Sequence, residues 1–206
     1  MPKSRLEAFS DCIIAFAVTL LIYDFHLQNL DADMDNARML RALLALAPHF
    51  SVYVISFLVC TVWWMGHHMF IHDLAQVDSR LLFLNCLFLM WIAILPFPTA
   101  LLEHHPSQPV VIVLYGIVCT MACVFFTVMR WYASFRGRLM RNDISEQVLR
   151  RDLRISSCFP FFYVAAATLG FFYPAAGLFC YAAIPAVFSA IRLVKRGEGG
   201  ALPAGA

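Results

Sequence analysis

The chain has 206 residues, of which 62% are hydrophobic and only 14% are charged, and its mean hydropathy is +0.75. Soluble domains are about 45–50% apolar and about 25% charged, so this composition excludes an ordinary water-soluble protein. The formal net charge of +2 is too small to indicate a nucleic-acid partner. The composition therefore favours an integral membrane protein whose surroundings are the lipid bilayer.

Six apolar runs follow one another along the chain, and each is long enough to cross a bilayer as a helix. They end at charged or turn-forming segments such as QNLDADMDN and EHHPSQP. The predicted membrane-spanning helices cover residues 6–24, 39–65, 81–102, 109–132, 155–172 and 174–194. We expect residues 1–194 to form one all-α transmembrane domain and residues 195–206, rich in Gly, Ala and Pro, to form a disordered cytoplasmic tail.

Positive residues in short loops predict the orientation of membrane helices, because such loops stay on the cytoplasmic side. With six spans and a cytoplasmic N-terminus, thirteen of the fifteen Lys and Arg residues lie inside, and only Arg38 and Arg41 lie outside. An odd number of spans would put Lys195 and Arg196 on the wrong side. The pattern therefore predicts six transmembrane helices with both termini in the cytoplasm.

The segment between the fourth and fifth spans, FRGRLMRNDISEQVLRRDLR, is basic, and its apolar residues recur at roughly helical spacing. We expect this segment to lie along the cytoplasmic interface, where its arginines contact anionic lipid. A regulatory role for the same segment is the alternative.

The first span carries an ionisable residue well inside it, Asp11, whereas Arg5 lies near the cytoplasmic end. Such a group costs about 2.5–3.5 kcal/mol at the centre of a membrane helix, so Asp11 indicates a functional position. At 100° per residue, Asp11 lies about 140° away from Phe16. One stripe of the helix carries Cys12, Phe16, Thr19, Leu20 and Tyr23. Either this stripe or the Asp11 face could line a pore, with the other packed inside the subunit.

Three motifs appear in order over the first half of the chain: RLEAFSD, WWMGHHMF and RLLFLNCLFLMWIAILPFPTALL. Together they resemble the lysosomal-type potassium channel family with the FSD signature, whose prokaryotic members have six helices per subunit. The resemblance implies a homotetramer in a prokaryotic plasma membrane, with the first helices lining a pore for K⁺. It implies no enzymatic activity and no cofactor, and the family's lack of a TVGYG filter agrees with the absence of that string here.

The resemblance also assigns site residues. In the family, the signature residues hold the first helix through polar contacts with neighbouring helices, and they correspond here to Arg5, Phe9, Ser10 and Asp11. The matching partner candidates are Trp64, His67 or His68, and Asn85. The constriction falls five residues after the motif Asp, at Phe16, with further rings at Thr19 and Tyr23. The chain departs from the family in having Cys12 instead of a small residue such as Gly, and aromatic residues at positions 16 and 23 instead of aliphatic ones.

Three other functions fit parts of the sequence. Asp11 could titrate in a proton-coupled secondary transporter, although the two halves of the chain contain no internal repeat. His67, His68 and His72 could serve a membrane metalloenzyme, although the remaining histidines lack regular spacing. The seven cysteines lie in apolar runs without CxxC spacing and do not indicate a metal site. A membrane scaffold without transport is the third alternative.

Overall fold

The computed structural model describes residues 2–23, 35–184 and 187. These residues form eight α-helices and one π-helical turn, which confirms the predicted all-α architecture. The helices are α1 Lys3–Leu20, α2 Asn36–Ala45, α3 Ala47–His72, α4 Ser79–Ile94, α5 Pro96–His104, α6 Pro109–Trp131, α7 Glu146–Phe172 and α8 Pro174–Ile184. The π-helical turn, Tyr132–Arg136, continues α6. The predicted cytoplasmic tail and the end of the sixth predicted span lie outside the described residues.

Side-chain caps and prolines determine where several helices begin. The carboxylate of Asp35 accepts a hydrogen bond from the backbone N–H of Arg38 at 2.8 Å, and that of Asp78 accepts one from the N–H of Leu81 at 2.7 Å. These bonds satisfy amides that have no partner within the first turns of α2 and α4. Pro96 separates α4 from α5, because a proline lacks the N–H that would continue the hydrogen-bond ladder.

Four helical segments are long and apolar enough to cross a membrane: Ala47–His72, Ser79–His104, Pro109–Arg136 and Glu146–Phe172. Helix α1 has 18 residues but contains four charged side chains, and α8 is shorter than the four spans. The count of six spans therefore stays a prediction. The apolar run at 39–65 is divided between α2 and α3, because the chain turns at Leu46.

The basic segment expected along the interface divides between two elements. Its second half is the beginning of α7, and its first half forms the connection that follows the π-helical turn. That connection pairs with the α3–α4 connection: the N–H of Ala75 donates to the Leu139 carbonyl at 2.8 Å, and the N–H of Arg141 donates to the Asp73 carbonyl at 3.0 Å. The two connections are thereby joined at one end of the helix bundle.

Helix α6 lies centrally and packs against α7, α4 and α5, while α1 packs against α4 and α3. Beneath α1, Ile14 and Ala17 contact a buried cluster that includes Phe88 and Ile92. Lys3 at the start of α1 lies against the end of α3, and the connection that leads into α7 pairs with the connection that follows α3, so the start of α1 and the start of α7 lie at the same end of the bundle. We call it the basic end, because it carries Lys3, Arg5, Arg80, Arg130, Arg136, Arg138, Arg141, Arg150, Arg151 and Arg154.

Helices α7 and α8 approach each other at two glycines. A Cβ atom at Gly170 would lie 2.5 Å from Cγ2 of Ile112 on α6 and 3.2 Å from Cα of Gly177 on α8. Both distances are shorter than ordinary contacts, so only residues without a side chain permit this packing. The glycine pair therefore fixes α8 against α6 and α7.

Candidate functional site

Helix α1 has one buried side and one exposed side. The buried positions are Leu6, Ser10, Ile14, Ala17 and Leu21. They recur every three or four residues, which is the spacing of a helix face that packs against a protein core. The structure therefore fixes the rotation of α1 relative to the rest of its own subunit.

The opposite side of α1 carries a continuous exposed stripe. Phe16 is 65% exposed and Tyr23 is 80% exposed. The stripe, which we call the α1 stripe, consists of Arg5, Phe9, Cys12, Phe16, Thr19 and Tyr23. The Thr19 hydroxyl donates to the Phe16 carbonyl at 2.8 Å, while Leu20 lies at the edge of the stripe and is half-buried. Four of the predicted pore positions thus share one surface that a single subunit leaves uncovered.

Three buried polar side chains connect the inner side of α1 to α3 and α4. His67 Nε2 lies 2.7 Å from Asn85 Oδ1, and Asn85 Nδ2 donates to Ser10 Oγ at 3.0 Å. The Ser10 hydroxyl then donates to the Leu6 carbonyl at 2.8 Å. Because an amide oxygen can only accept, Nε2 of His67 carries the proton in this chain of hydrogen bonds. All three side chains are at most 1% exposed, so their mutual bonds replace part of the solvation that they lose, while Nδ1 of His67 is buried without a hydrogen-bond partner in the described part of the chain.

A second set of polar contacts joins α1 to α3 along their length, and we call it the α1–α3 ladder. The Lys3 ammonium donates to the His72 carbonyl at 2.7 Å and to the Leu74 carbonyl at 3.1 Å. One turn further along α1, Glu7 Oε1 lies 3.2 Å from Nδ1 of His68.

The third rung of the α1–α3 ladder involves Asp11, whose Oδ1 accepts a hydrogen bond from Trp64 Nε1 at 2.8 Å. Positions 3, 7 and 11 on α1 thus face positions 72, 68 and 64 on the antiparallel α3. The four-residue spacing is one helical turn on both helices, so each rung lies directly above the previous one. Sequence reasoning named Asp11, Trp64 and His68 but missed Lys3 and Glu7, although the spacing of the charged residues on α1 was a visible signal.

The signature residues divide between two environments. Ser10 and Asp11 make the inter-helix hydrogen bonds described above. Arg5 and Phe9 instead lie on the exposed side of α1, where Phe9 is 49% exposed. Within the described part of the chain, the Arg5 side chain makes no polar contact with another helix.

The histidines of the second motif do not converge on a metal. His67 is directed to Asn85, His68 to Glu7, and the His72 ring is mostly exposed beside Asp73. Among residues 2–23, 35–184 and 187, no group of three or more His, Cys, Asp or Glu side chains could hold a metal ion.

Two further polar contacts at the basic end were not anticipated from the sequence. The Tyr132 hydroxyl donates to Asp78 Oδ2 at 2.5 Å, which joins the π-helical turn to the start of α4. Arg130 is 5% exposed, and its guanidinium lies between the rings of Phe70 and Phe126, 5.5 and 5.3 Å from their centroids. These contacts hold together the ends of α3, α4 and α6.

Comparison with known proteins agrees with this architecture. Residues 5–96 match the family described as endosomal/lysosomal potassium channel TMEM175. A potassium channel of Streptomyces collinus is 36% identical over 152 residues, which cover 72% of this chain and 72% of that protein. The human endosomal/lysosomal proton channel TMEM175 is 29% identical over 120 residues, which cover 58% of this chain and 23% of that protein.

A solved structure gives the same result at the level of the fold. The crystal structure of a lysosomal potassium-selective channel TMEM175 homologue from Chamaesiphon minutus superposes with a TM-score of 0.78 at 25% identity, covering 91% of this chain and 96% of that one. These relatives are ion channels and not enzymes, which excludes the metalloenzyme alternative. The chain belongs to the TMEM175 family of membrane channels.

Proposed function

We propose that four copies of this chain form a potassium-preferring cation channel in which the α1 helices surround a common axis. The observation that carries the proposal is the α1 stripe, which leaves large side chains such as Phe16 and Tyr23 exposed opposite a well-packed face. One helix cannot enclose a path for ions, so several subunits must each contribute the same stripe around an axis of symmetry. The family membership of the chain supports this arrangement.

In this assembly Phe16 forms the narrowest point of the pore. Phenyl rings from four subunits would make a short apolar neck, which excludes water until the rings separate. Cys12 would lie on one side of this neck and Thr19 on the other, each about one turn away. The channel therefore has a hydrophobic gate instead of a filter of backbone carbonyl groups.

The preference for K⁺ follows from the chemistry of the stripe. K⁺ gives up its hydration water at a lower cost than Na⁺, so a narrow and weakly polar neck admits it more readily. The Thr19 hydroxyl donates its hydrogen bond to the Phe16 carbonyl. The lone pairs of the Thr19 hydroxyl oxygen are therefore available to face a cation. We expect modest selectivity, because the stripe offers few oxygen ligands. The bacterial relative named a potassium channel supports the choice of ion.

The orientation of the subunit follows from its charges. We infer that the basic end faces the cytoplasm of a prokaryotic cell, that six helices cross the plasma membrane, and that both termini are cytoplasmic. Residues 1–194 would then form one channel domain. The bacterial source of the similar potassium channel supports this location.

A proton-coupled transporter is the competing function, because Asp11 lies within α1 and is only half-buried. The bond from Trp64 favours the channel, since it gives this carboxylate a structural partner that holds α1 against α3. Asp11→Asn separates the two functions. A channel continues to pass K⁺ after this change if the tetramer is intact, whereas a transporter that needs a titrating carboxylate loses coupled uptake.

The proposal is tested by reconstituting the purified protein into K⁺-loaded vesicles and measuring K⁺ efflux at defined membrane voltages. We expect efflux that rises with voltage and does not saturate with K⁺ concentration as a carrier would. Native mass spectrometry of the same preparation should give the mass of four chains. A folded tetramer that passes no K⁺ at any voltage would contradict the proposed function.

A further inference from the structure

A surface cavity of about 370 Å³ lies at the basic end, between the end of α6 and the first turns of α7. Its walls are Trp131, Phe135, Arg150, Leu153 and Arg154. Two arginines and two aromatic rings therefore share one concave surface, which in the proposed membrane orientation lies where the helices pass from hydrocarbon to lipid headgroups. This combination is suited to a molecule with an anionic head and an apolar body.

The arginines have donors available for an anion. Arg150 Nε and Nη2 donate to Glu146 Oε1 at 2.8 and 2.6 Å, and its guanidinium lies 5.4 Å from the centroid of the Phe135 ring. A guanidinium has five N–H donors, so this pairing leaves others free to bind a second acceptor. Arg154 makes only a long bond, 3.5 Å, to the Arg150 carbonyl, and it pairs with no carboxylate within the described part of the chain.

Helices α6 and α7 carry a second cavity beyond this one, and we call the strip of surface between the two helices that includes both cavities the seam. A second cavity of about 430 Å³ lies further along the same two helices, and Ile117, Thr120, Val164 and Phe171 are among the residues that line it. Positions 117, 124, 128 and 131 of α6 recur at helical spacing, so Ile117 and Trp131 lie on the same side of that helix. The two residues are roughly 21 Å apart along the axis, which is a large part of the ~30 Å hydrocarbon core.

We propose that this seam is a binding site for one anionic phospholipid per subunit. The phosphate is bound by Arg150 and Arg154, and an acyl chain lies along the seam past Val164 and Ile117. The charge of the site is complementary to a phosphate, and the seam leads from that charge into the hydrocarbon. The chemistry of the walls therefore selects an anionic lipid over a zwitterionic one.

Two carboxylates oppose this binding in part. Glu146 is paired with Arg150, and Asp152 lies 3.3 Å from Arg130 on the neighbouring side of α7. Neither of these two carboxylates pairs with Arg154. Arg154 is therefore the main source of affinity for a phosphate. This assignment distinguishes a defined site from general attraction to a basic surface, because Arg151 carries the same charge on the same helix and does not line the cavity.

The site is tested with the full-length protein in phosphatidylcholine vesicles that contain a minor fraction of phosphatidylglycerol with brominated acyl chains. Bromine quenches tryptophan fluorescence at contact, and the contribution of Trp131 is obtained by comparison with a Trp131→Phe variant. We expect stronger quenching of Trp131 by brominated phosphatidylglycerol than by brominated phosphatidylcholine. Arg154→Gln should weaken the apparent affinity for phosphatidylglycerol about fivefold, and Arg151→Gln should leave it unchanged.

Other outcomes would overturn the proposal. Equal quenching by both lipids would mean that the arginines do not select a headgroup. Equal losses in the Arg151→Gln and Arg154→Gln variants would indicate a diffuse charge effect. Complete displacement of the brominated lipid by inorganic phosphate would identify a free-phosphate site. No quenching by either lipid would mean that another protein surface, such as a second copy of the chain, covers the seam.

A second variant tests the acyl-chain part without altering any charge. Val164→Trp should fill the seam and reduce phosphatidylglycerol binding in native mass spectrometry, and Val148→Trp, an exposed position on α7 outside both cavities, should not. Unchanged lipid binding in a folded Val164→Trp protein would contradict the proposed path of the acyl chain.

Discussion

Asp11 accepts a hydrogen bond from the indole N–H of Trp64 at 2.8 Å, on a side of α1 that is turned away from Phe16. Together with the Glu7–His68 pair and the Lys3 bonds to α3, this contact forms the α1–α3 ladder. The ladder holds α1 against α3 along the length of the helix. The bonds from Asn85 to Ser10 and His67 fix the same helix from its buried side. The rotation of α1, and with it the direction of the α1 stripe, is therefore set by polar contacts with α3 and α4.

Replacing Trp64 with Phe should weaken the α1–α3 ladder while keeping an aromatic ring in place. We expect a loss of about 1 kcal/mol, because one hydrogen bond to a carboxylate disappears at a partly exposed position. The thermal midpoint of the purified protein in detergent measures this loss. Trp131→Phe is the matched control, since Trp131 is 48% exposed, compared with 40% for Trp64, and makes no such bond in the described part of the chain. Equal midpoints for the two variants would contradict the supporting role of Trp64.

Asn85→Leu should destabilise the subunit more strongly than Trp64→Phe. The variant leaves the Nε2 proton of His67 without its acceptor in a site that water does not reach, at a cost of about 1–3 kcal/mol. The loss can be measured from chemical unfolding in detergent. Asn142→Leu provides the control, because Asn142 is exposed in the connection before α7. A stability loss no larger than that of the control would argue against the buried hydrogen-bond network.

Phe16→Ala should accelerate K⁺ efflux from vesicles without lowering the stability of the subunit. The phenyl ring is mostly exposed in the single chain, so its removal leaves no internal cavity, but it widens the proposed neck. Phe83→Ala is a close control, since Phe83 lies on α4 and is 64% exposed, compared with 65% for Phe16. Similar K⁺ efflux from both variants would contradict the proposal that Phe16 forms the gate.

The stability of the basic end should depend on pH through Asp78. Burial acts to raise the pKa of the Asp78 carboxyl, but hydrogen bonds from the Tyr132 hydroxyl and the Leu81 N–H, together with the nearby Arg80, hold the pKa below its ordinary value. A lowered folded-state pKa means that ionised Asp78 stabilises the fold above the unfolded-state pKa of about 3.9. This stabilisation is lost as the pH falls through the lower, folded-state pKa.

We therefore expect Asp78→Asn to be less stable than the native sequence at neutral pH, with a difference that shrinks as the pH falls below about 4. Thermal midpoints across this pH range provide the measurement. Tyr132→Phe should reduce the same pH dependence, because it removes the donor to Oδ2. A difference between Asp78→Asn and the native protein that stays constant with pH would show that the charge of Asp78 does not contribute.

The all-α membrane fold could be predicted because hydropathy alone identifies apolar helices. Prediction was less accurate where local packing decides the helix ends. The apolar run at 39–65 predicts one continuous helix, yet the helix is interrupted by a turn at Leu46. The basic segment before the fifth run was expected along the interface, and its second half forms one helix with the fifth run, since no proline or glycine interrupts α7 before Pro160.

Hydropathy and the period of a helix were enough to predict the apolar helices, the concentration of positive charge at one end and the angle between Asp11 and Phe16. The buried face of α1, in contrast, is known only from the way the helices pack. That choice depends on side chains of α3 and α4 far along the chain, such as Trp64 and Asn85, which meet α1 only after the helices pack. The same applies to the Tyr132–Asp78 bond, whose partners are 54 residues apart in sequence.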